Sequence, residues 1–236
     1  MSEWAPKRFW TTADTTETDE GFGVLLDGRP VRTPAKALLE VPSKALADRI
    51  ASEFDAQVGK IDPTTMPFTR TANAAVDKVR SQKSEVADML ADYGDSDLLC
   101  YRAAEPAGLV ARQAEQWDPY LNWAADALGA RLEPRTGVIH APQCPEALGT
   151  LRKRVHTMNV FELAAFHDLV SISGSLILGF AAQLGHRPPE EIWSVSRLDE
   201  IWQQEQWGVD DEAQEMADHK KAAFLHANAF MRLIQP

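Results

Sequence analysis

The longest apolar stretch of the chain, residues 160–184, most constrains its fold. Large aliphatic and aromatic side chains occur on every side of a helix there, and not along one stripe. A helix that is apolar all round is either buried among other elements or spans a membrane. The stretch also contains Glu162, His167, Asp168 and three serines, which makes it too polar to cross a bilayer. We therefore predict a single buried helix at the centre of a helical bundle.

The first 42 residues have the shorter period of β-strands. The apolar run 22–26 is followed by Asp27-Gly28, a strong signal for a two-residue hairpin turn. Three further segments look extended: 8–12, 30–34 and 37–41. Helical periodicity begins at Ser43, whose hydroxyl can cap a helix. The N-terminal part of the chain should therefore form a small antiparallel sheet.

The predicted fold class is α+β. A small N-terminal antiparallel β-sheet domain with one helix occupies residues 1–62, and a larger all-α orthogonal bundle domain occupies 63–236. Extended segments at 98–102 and 131–140 fit either inside the sheet or outside it. Within the bundle we expect a helix that is kinked at Pro119. The final helix should be capped by Asp210, with inward-facing side chains at Met216, Phe224, Ala227 and Met231.

Composition excludes several classes of function. The chain has 24 Lys and Arg against 35 Asp and Glu, a net charge of −11, which argues against nucleic acid and anionic membranes as partners. Two cysteines are too few for a disulfide framework or a zinc cluster, and the six histidines share no metal-ligand spacing. We expect no metal, cofactor or small-molecule substrate. The N-terminus lacks the apolar segment of a signal peptide, so we expect a cytoplasmic protein. We also expect a monomer.

One cluster resembles a catalytic site. His167, Asp168 and Ser171 lie within two helical turns, and hydrolysis would require the serine hydroxyl on the imidazole with the carboxylate behind it. Neighbouring helix residues point about 100° apart, so we expect that Asp168 does not orient His167. The acidic loop 92–97 lacks the spacing of a calcium loop, and His140 has no acidic neighbour in the sequence. A polar helix stripe is the better interpretation, and a small hydrolase remains an alternative.

Most of the net charge lies in one segment. Residues Glu190 to Asp218 include ten acidic side chains and one base, Arg197, so this segment carries −9 of the total of −11. Such a concentration of one sign raises the encounter rate with a partner of the opposite sign. Trp207 lies within it beside Gly208, and tryptophan is enriched in binding hot spots. The segment therefore predicts a docking surface for a basic protein partner.

Six ordered blocks resemble the ATP12 family, the assembly chaperones for the F1 sector of ATP synthase. They run in family order over nearly the whole chain, and none is a catalytic signature. The blocks are Arg8-Phe9-Trp10, Leu26 to Pro34 (LDGRPVRTP), Asp62 to Pro67 (DPTTMP), Asp97 to Arg102 (DLLCYR), Gln116 to Pro119 (QWDP), and Gln203-x-Glu205-x-Trp207-Gly208. Phe54 stands where the family tends to carry Trp, and it keeps an aromatic residue at a core-facing helix position.

The resemblance implies a non-enzymatic chaperone, bacterial and cytoplasmic, that holds the F1 α subunit and prevents its aggregation until it pairs with β. The functionally sensitive acid of the family falls on Glu205 by motif match. A permanent structural scaffold subunit is the other alternative, and it would expose a large apolar surface. The predicted partner-binding residues are Glu205, Trp207, Gly208, Asp199, Glu200 and Asp210, with Arg29 and Arg32 of the hairpin as a second contact.

Overall fold

The computed structural model describes residues 7–234. The first six residues, which contribute to the prediction that a signal peptide is absent, lie outside the described residues. The strands are β1 (Ala13–Thr18), β2 (Gly21–Leu26), β3 (Arg29–Pro30), β4 (Glu40–Val41), β5 (Tyr101–Arg102) and β6 (Arg135–Thr136). The helices are α1 (Lys44–Asp55), α2 (Pro67–Asp77), α3 (Lys83–Asp92), α4 (Ala107–Trp123), α5 (Pro145–His156), α6 (Val160–Ser173), α7 (Leu176–Gln183), α8 (Pro189–Ser196), α9 (Leu198–Trp207) and α10 (Asp211–Ile234).

The described residues form two compact units. The sheet unit comprises 7–83, 159–165 and 229–234, and the helical unit comprises 84–158 and 166–228. Helices α6 and α10 each contribute residues to both units. The predicted α+β class is confirmed, because a small antiparallel sheet near the N-terminus is followed by a mostly helical region. The boundary between residues 62 and 63 stays a prediction.

Strand β2 is the centre of the N-terminal sheet. It pairs antiparallel with β1 along its full length and with both β3 and β4. Leu26 pairs with Arg29, so Asp27 and Gly28 form the predicted two-residue turn, and both have the positive φ that a type I′ turn requires (47° and 76°).

The strand predicted at 8–12 is wrong, since β1 begins at Ala13. The backbone N–H groups of Thr11 and Thr12 donate to the carboxylate of Asp27 at 3.0 and 2.9 Å. These donors are therefore engaged by a side chain and are unavailable to a strand ladder. The hairpin turn thus also anchors the segment that leads into β1.

Helix α1 begins where the sequence predicts. The Ser43 hydroxyl accepts a hydrogen bond from the Leu46 N–H at 3.1 Å. Near its end, the buried carboxylate of Glu53 accepts from the N–H groups of Phe68 and Thr69, each at 2.8 Å, at the start of α2. Phe54 packs edge-on against Trp10, with ring centroids 5.5 Å apart. The aromatic residue predicted to replace a family tryptophan therefore lies in the core.

The predicted single central helix is wrong, because the apolar stretch forms two helices, α6 and α7. Gly174 adopts φ +71° between them, and the Ser175 hydroxyl then caps α7 by accepting from the Leu178 N–H at 3.0 Å. The two helices approach closely at Gly179, where a Cβ would lie 2.6 Å from a methyl carbon of Val170. Large apolar side chains of both helices are fully buried, among them Phe166 of α6 and Ile177 of α7, so the stretch belongs to the core as predicted.

The two extended segments left open lie outside the four-stranded sheet. Tyr101 and Arg102 pair in parallel with Arg135 and Thr136, which makes a separate two-stranded ladder. Residues 98–100 form a 3-10 turn that leads into it. The helical unit therefore has its own short pair of strands.

Helix α10 is capped as predicted, since the Asp210 carboxylate accepts from the N–H groups of Glu212 and Ala213 at 2.9 and 3.0 Å. Phe224 and Met231 are buried as expected. The inward position predicted for Met216 is wrong, because 57% of its surface is exposed. The reason is that α10 packs only through its later turns, residues 211–222 being exposed or half-buried. Within residues 7–234, no helix is long and apolar enough to cross a membrane.

Candidate partner-binding site

Helix α9 is held against α4 by one of its faces. A Cβ at Gly108 would lie 2.8 Å from the ring of Trp202, so α9 approaches α4 more closely than any residue but glycine allows. On the same face the Gln113 amide donates to Asp199 at 2.7 Å. Glu205 lies one turn beyond Trp202 on α9, and its carboxylate accepts a hydrogen bond from Arg112 of α4 at 2.6 Å. These contacts orient α9 and leave its C-terminal end to face solvent.

Glu205 is the predicted sensitive acid, and it already has a partner in the chain. The hydrogen bond from Arg112 holds the pKa of the Glu205 carboxyl below its ordinary value, so this carboxylate is ionised at neutral pH. The side chain of Glu205 is 47% exposed and that of Arg112 is 28% exposed. Exposed ion pairs add little to stability, because water solvates both charges almost as well. Glu205 can therefore exchange Arg112 for a basic group of a partner at little cost.

The end of α9 exposes an apolar group. Trp207, the last residue of the helix, has 79% of its surface exposed. The next residue, Gly208, adopts φ +91°, which favours glycine and turns the chain toward α10. Val209 and Met216 are also exposed, by 62% and 57%. Exposed side chains of this size close to one another in sequence are typical of interaction sites.

The predicted acidic residues divide by what they contact. Asp199 accepts from Gln113, Glu200 pairs with Arg197 at 2.6 Å, and Asp210 caps α10, so all three have roles within the chain. Three further carboxylates of the acidic segment have no hydrogen-bond or ion-pair partner among residues 7–234, and they are on the first turns of α10, close in sequence to the exposed apolar side chains: Asp211, Glu212 and Glu215. The unpaired carboxylates of the acidic segment are therefore not among the partner-binding residues that the sequence predicts.

Arg29 and Arg32 belong to the sheet unit, whereas the acidic residues belong to the helical unit. Both arginines are exposed. Arg32 donates to the backbone oxygen of Lys36 at 2.8 Å, which fixes it over the loop after β3. They form a separate candidate contact, and their role in binding stays a prediction.

The suspected catalytic cluster is only partly assembled. His167 Nδ1 and Asp168 Oδ1 are 3.0 Å apart, so the expectation that Asp168 does not orient His167 is wrong. Side-chain torsions bring the two ends together although the Cβ atoms diverge. This hydrogen bond raises the pKa of His167. Ser171 is exposed and makes no hydrogen bond to His167 in the described structure, so no activated serine is formed there.

Two further expectations concern metals and His140. The ring of His140 lies 2.9 Å from the Asp95 carboxylate, so it has the acidic neighbour that the sequence does not reveal. Asp92 pairs instead with Arg152. Among residues 7–234 there is no group of three or more His, Cys, Asp or Glu side chains placed to hold a metal ion.

Most of the six family-matching blocks contribute to the fold. Arg8 donates to the backbone oxygens of Asp55 and Gln57 at 2.6 and 2.8 Å. Arg102 donates to Asp118 at 2.7 Å and covers the ring of the fully buried Trp117. Two blocks expose an aromatic residue: Trp207 of the block at 203–208 is 79% exposed and Phe9 of the block at 8–10 is 73% exposed. Only the block at 203–208 lies within the acidic segment, so it combines an exposed aromatic residue with concentrated negative charge.

Comparisons with known proteins bear on the family of the chain. A family model described as ATP12 chaperone protein matches residues 7–125, which precede the acidic segment. Protein atp12, mitochondrial, of Schizosaccharomyces pombe is 26% identical over 237 residues, which cover 95% of this chain and 81% of that protein. Atp12 from Paracoccus denitrificans has a crystal structure with 46% identity and a TM-score of 0.95, covering 97% of this chain and 98% of that one. The Atu1473 protein from Agrobacterium tumefaciens is 40% identical with a TM-score of 0.92, covering 98% and 87%.

Proposed function

The chain belongs to the ATP12 chaperone family, and we propose that it is a non-enzymatic assembly chaperone of the F1 sector of ATP synthase. In this proposal it binds the unassembled α subunit and prevents its aggregation until the α subunit pairs with β. The observation that carries the proposal is the exposed Trp207 in the family-matching block at 203–208, next to unpaired carboxylates. The relatives from Paracoccus and Agrobacterium are bacterial, which supports a bacterial cytoplasmic role.

The composition of this surface suits temporary binding. An unassembled subunit exposes apolar interface that would otherwise aggregate, and a chaperone lowers its free concentration by covering that interface. Trp207, Val209 and Met216 supply apolar contact. The carboxylates on the first turns of α10 supply a polar rim for basic side chains. A small apolar centre with a charged rim favours an affinity moderate enough for later release.

Co-expression with the F1 α and β subunits tests the proposal against its alternatives. The chain should co-purify with α alone and should be absent from the assembled α–β complex. A permanent scaffold would remain in the assembled complex, and a hydrolase would bind neither subunit. Retention in the complex, or failure to bind α, would contradict the proposed function.

Replacing Trp207 by alanine should weaken capture of the α subunit by about thirtyfold, the usual loss at a binding hot spot. The free energy of unfolding should stay unchanged, because 79% of this side chain is already exposed. Titration calorimetry with the purified α subunit measures the first quantity, and urea denaturation measures the second. Ile139→Ala is the matched control, since Ile139 is 85% exposed elsewhere in the helical unit. Equal affinities for the two variants would remove Trp207 from the binding site.

A further inference from the structure

A cavity of about 350 Å³ opens between α4 and α8 in the helical unit. This volume is at the lower end of the range that holds small ligands, and it is ample for one long side chain. None of its lining residues belongs to the candidate partner-binding site. The lining residues that matter for its chemistry are Glu115, Pro119, Tyr120, His186, Arg187 and Glu191.

The α4 wall of the cavity offers a backbone acceptor. Pro119 lies inside α4 and has no N–H, so it cannot donate the helical hydrogen bond to the carbonyl of Glu115. That carbonyl therefore has acceptor capacity to spare. The carboxylate of Glu115 is exposed at the same wall and has no ion-pair partner among residues 7–234.

Tyr120 adds a buried hydroxyl. The residue is only 4% exposed, and its hydroxyl has no hydrogen-bond partner within the described structure. Burial raises the pKa of Tyr120 to about 12; the charge of Glu191 raises it and that of Arg187 lowers it. Tyr120 lines the cavity together with both of these groups, and its ring packs edge-on against that of His186, another lining residue, with centroids 5.7 Å apart. A buried polar group without a partner is costly, which points to a ligand that supplies the partner.

The charges of the cavity favour a cation. Glu115 and Glu191 contribute two negative charges against the single positive charge of Arg187. Arg187 stands 3.8 Å from Glu191, too far for a hydrogen bond, and is 53% exposed, so it can move aside. Burial and the charge of Arg187 lower the pKa of His186, with Glu191 opposing, so this ring is neutral at pH 7. The cavity lining therefore has two negative charges against one positive charge.

We propose that this cavity binds the guanidinium group of an arginine side chain on a polypeptide partner. A guanidinium is planar, is always positively charged and has five N–H donors, which matches the excess of negative charge in the cavity. The Glu191 carboxylate pairs with its charge, and the Tyr120 hydroxyl and the Glu115 carbonyl accept its remaining N–H groups. The cavity also adjoins the partner-binding site, because Arg112, which contacts Glu205, lies one turn of α4 before Glu115. The identity of that polypeptide as the client rests on the proposed function.

Nuclear magnetic resonance on the full chain tests this without the client. The probe is the tripeptide acetyl-Gly-Arg-Gly-amide, and the matched control is the same peptide with neutral citrulline in place of arginine. The arginine peptide should shift the His186 ring resonances saturably, and the citrulline peptide should bind about tenfold more weakly. Glu191→Gln should weaken the arginine peptide about tenfold and Tyr120→Phe about fivefold, whereas Glu190→Gln, which removes the neighbouring charge outside the cavity, should not.

The inference would be overturned by equal binding of the two peptides, by equal effects of Glu191→Gln and Glu190→Gln, or by no saturable shift. Tighter binding of free arginine than of the tripeptide would also overturn it, because the ligand would then be a metabolite. None of these outcomes bears on capture of the α subunit at Trp207, so the proposed function stands or fails separately. Tyr120→Phe should fold as the parent does, because the hydroxyl that it removes has no partner in the described residues.

Discussion

Replacing Asp97 by alanine should lower the free energy of unfolding by about 3 kcal/mol at pH 7. The carboxylate of Asp97 is fully buried. It accepts from the Leu99 N–H at 3.0 Å, from the Ser175 hydroxyl at 2.7 Å and from the Ile177 N–H at 3.0 Å. It thereby joins the loop before β5 to the first turn of α7. Alanine leaves these donors buried without an acceptor, and each unpaired donor costs free energy.

The difference in free energy of unfolding between the parent and Asp97→Ala should increase as the pH falls. Burial raises the pKa of Asp97 from 3.8 to about 6, with the hydrogen bonds from Ile177, Ser175 and Leu99 opposing. A folded-state pKa above the unfolded value means that the native state binds the proton more tightly. The stabilisation that protonation of Asp97 provides is complete below pH 4 and is lost as the pH rises through 6. The parent should therefore gain about 1 kcal/mol between pH 7 and pH 5, and the alanine variant should not.

Urea denaturation followed by circular dichroism measures both effects. Asp92→Ala is the matched control on the preceding helix, because Asp92 is exposed and pairs with Arg152 at the surface. It should change stability little. Asp97→Asn retains the Oδ1 acceptor for Leu99 and Ser175 and loses the one for Ile177, so it should fall between the parent and the alanine variant. Equal stabilities for the alanine variants at 92 and 97 would contradict this account.

Local backbone signals were enough to place the turns and the helix starts. Asp27-Gly28 forms its hairpin turn, and Ser43 and Asp210 cap their helices, because each of these depends on neighbours within a few residues. Gly174-Ser175 is a signal of the same kind, and it divides the apolar stretch into two helices. The apolar pattern on either side hides this signal, because large apolar side chains continue from α6 into α7 without a gap.

Contacts between distant residues could not be predicted in this way. Arg112 and Glu205 are 93 positions apart, and no pattern in a single sequence relates them. The exposure of Met216 also depends on distant residues. Met216 has the helical spacing of an inward-facing residue, but it is exposed because no other element covers the first turns of α10 within the described residues. The acidic segment could be located from the sequence, because a concentration of charge along the chain can be counted without knowing how the chain packs. Which carboxylates are unpaired required the structure.

Reversing the charge of Glu205 should abolish measurable capture of the α subunit. We expect Glu205→Arg to weaken binding by at least about thirtyfold, since it removes one partner of a charged contact and opposes the basic groups of the client. The substitution also places two arginines together, because Arg112 donates to Glu205 at 2.6 Å. A loss of capture could then arise from the client contact or from displacement of α9. The single variant does not separate these causes.

A charge exchange separates them. The double variant Arg112→Glu/Glu205→Arg restores an ion pair between α4 and α9 with its direction reversed, so the helices keep their contact. If Glu205 contacts the client directly, the double variant should fold like the parent and still fail to capture the α subunit. If Glu205 only holds α9 in place, capture should return to the parental affinity, and the direct contact would be excluded. Glu85→Arg, on the exposed side of α3 in the same unit, controls for the change in net charge and should bind as the parent does.

Because the carboxyl pKa of Glu205 is held below its ordinary value, titration of this residue should not change the parental affinity between pH 6 and pH 8. Titration calorimetry at the two limits measures this.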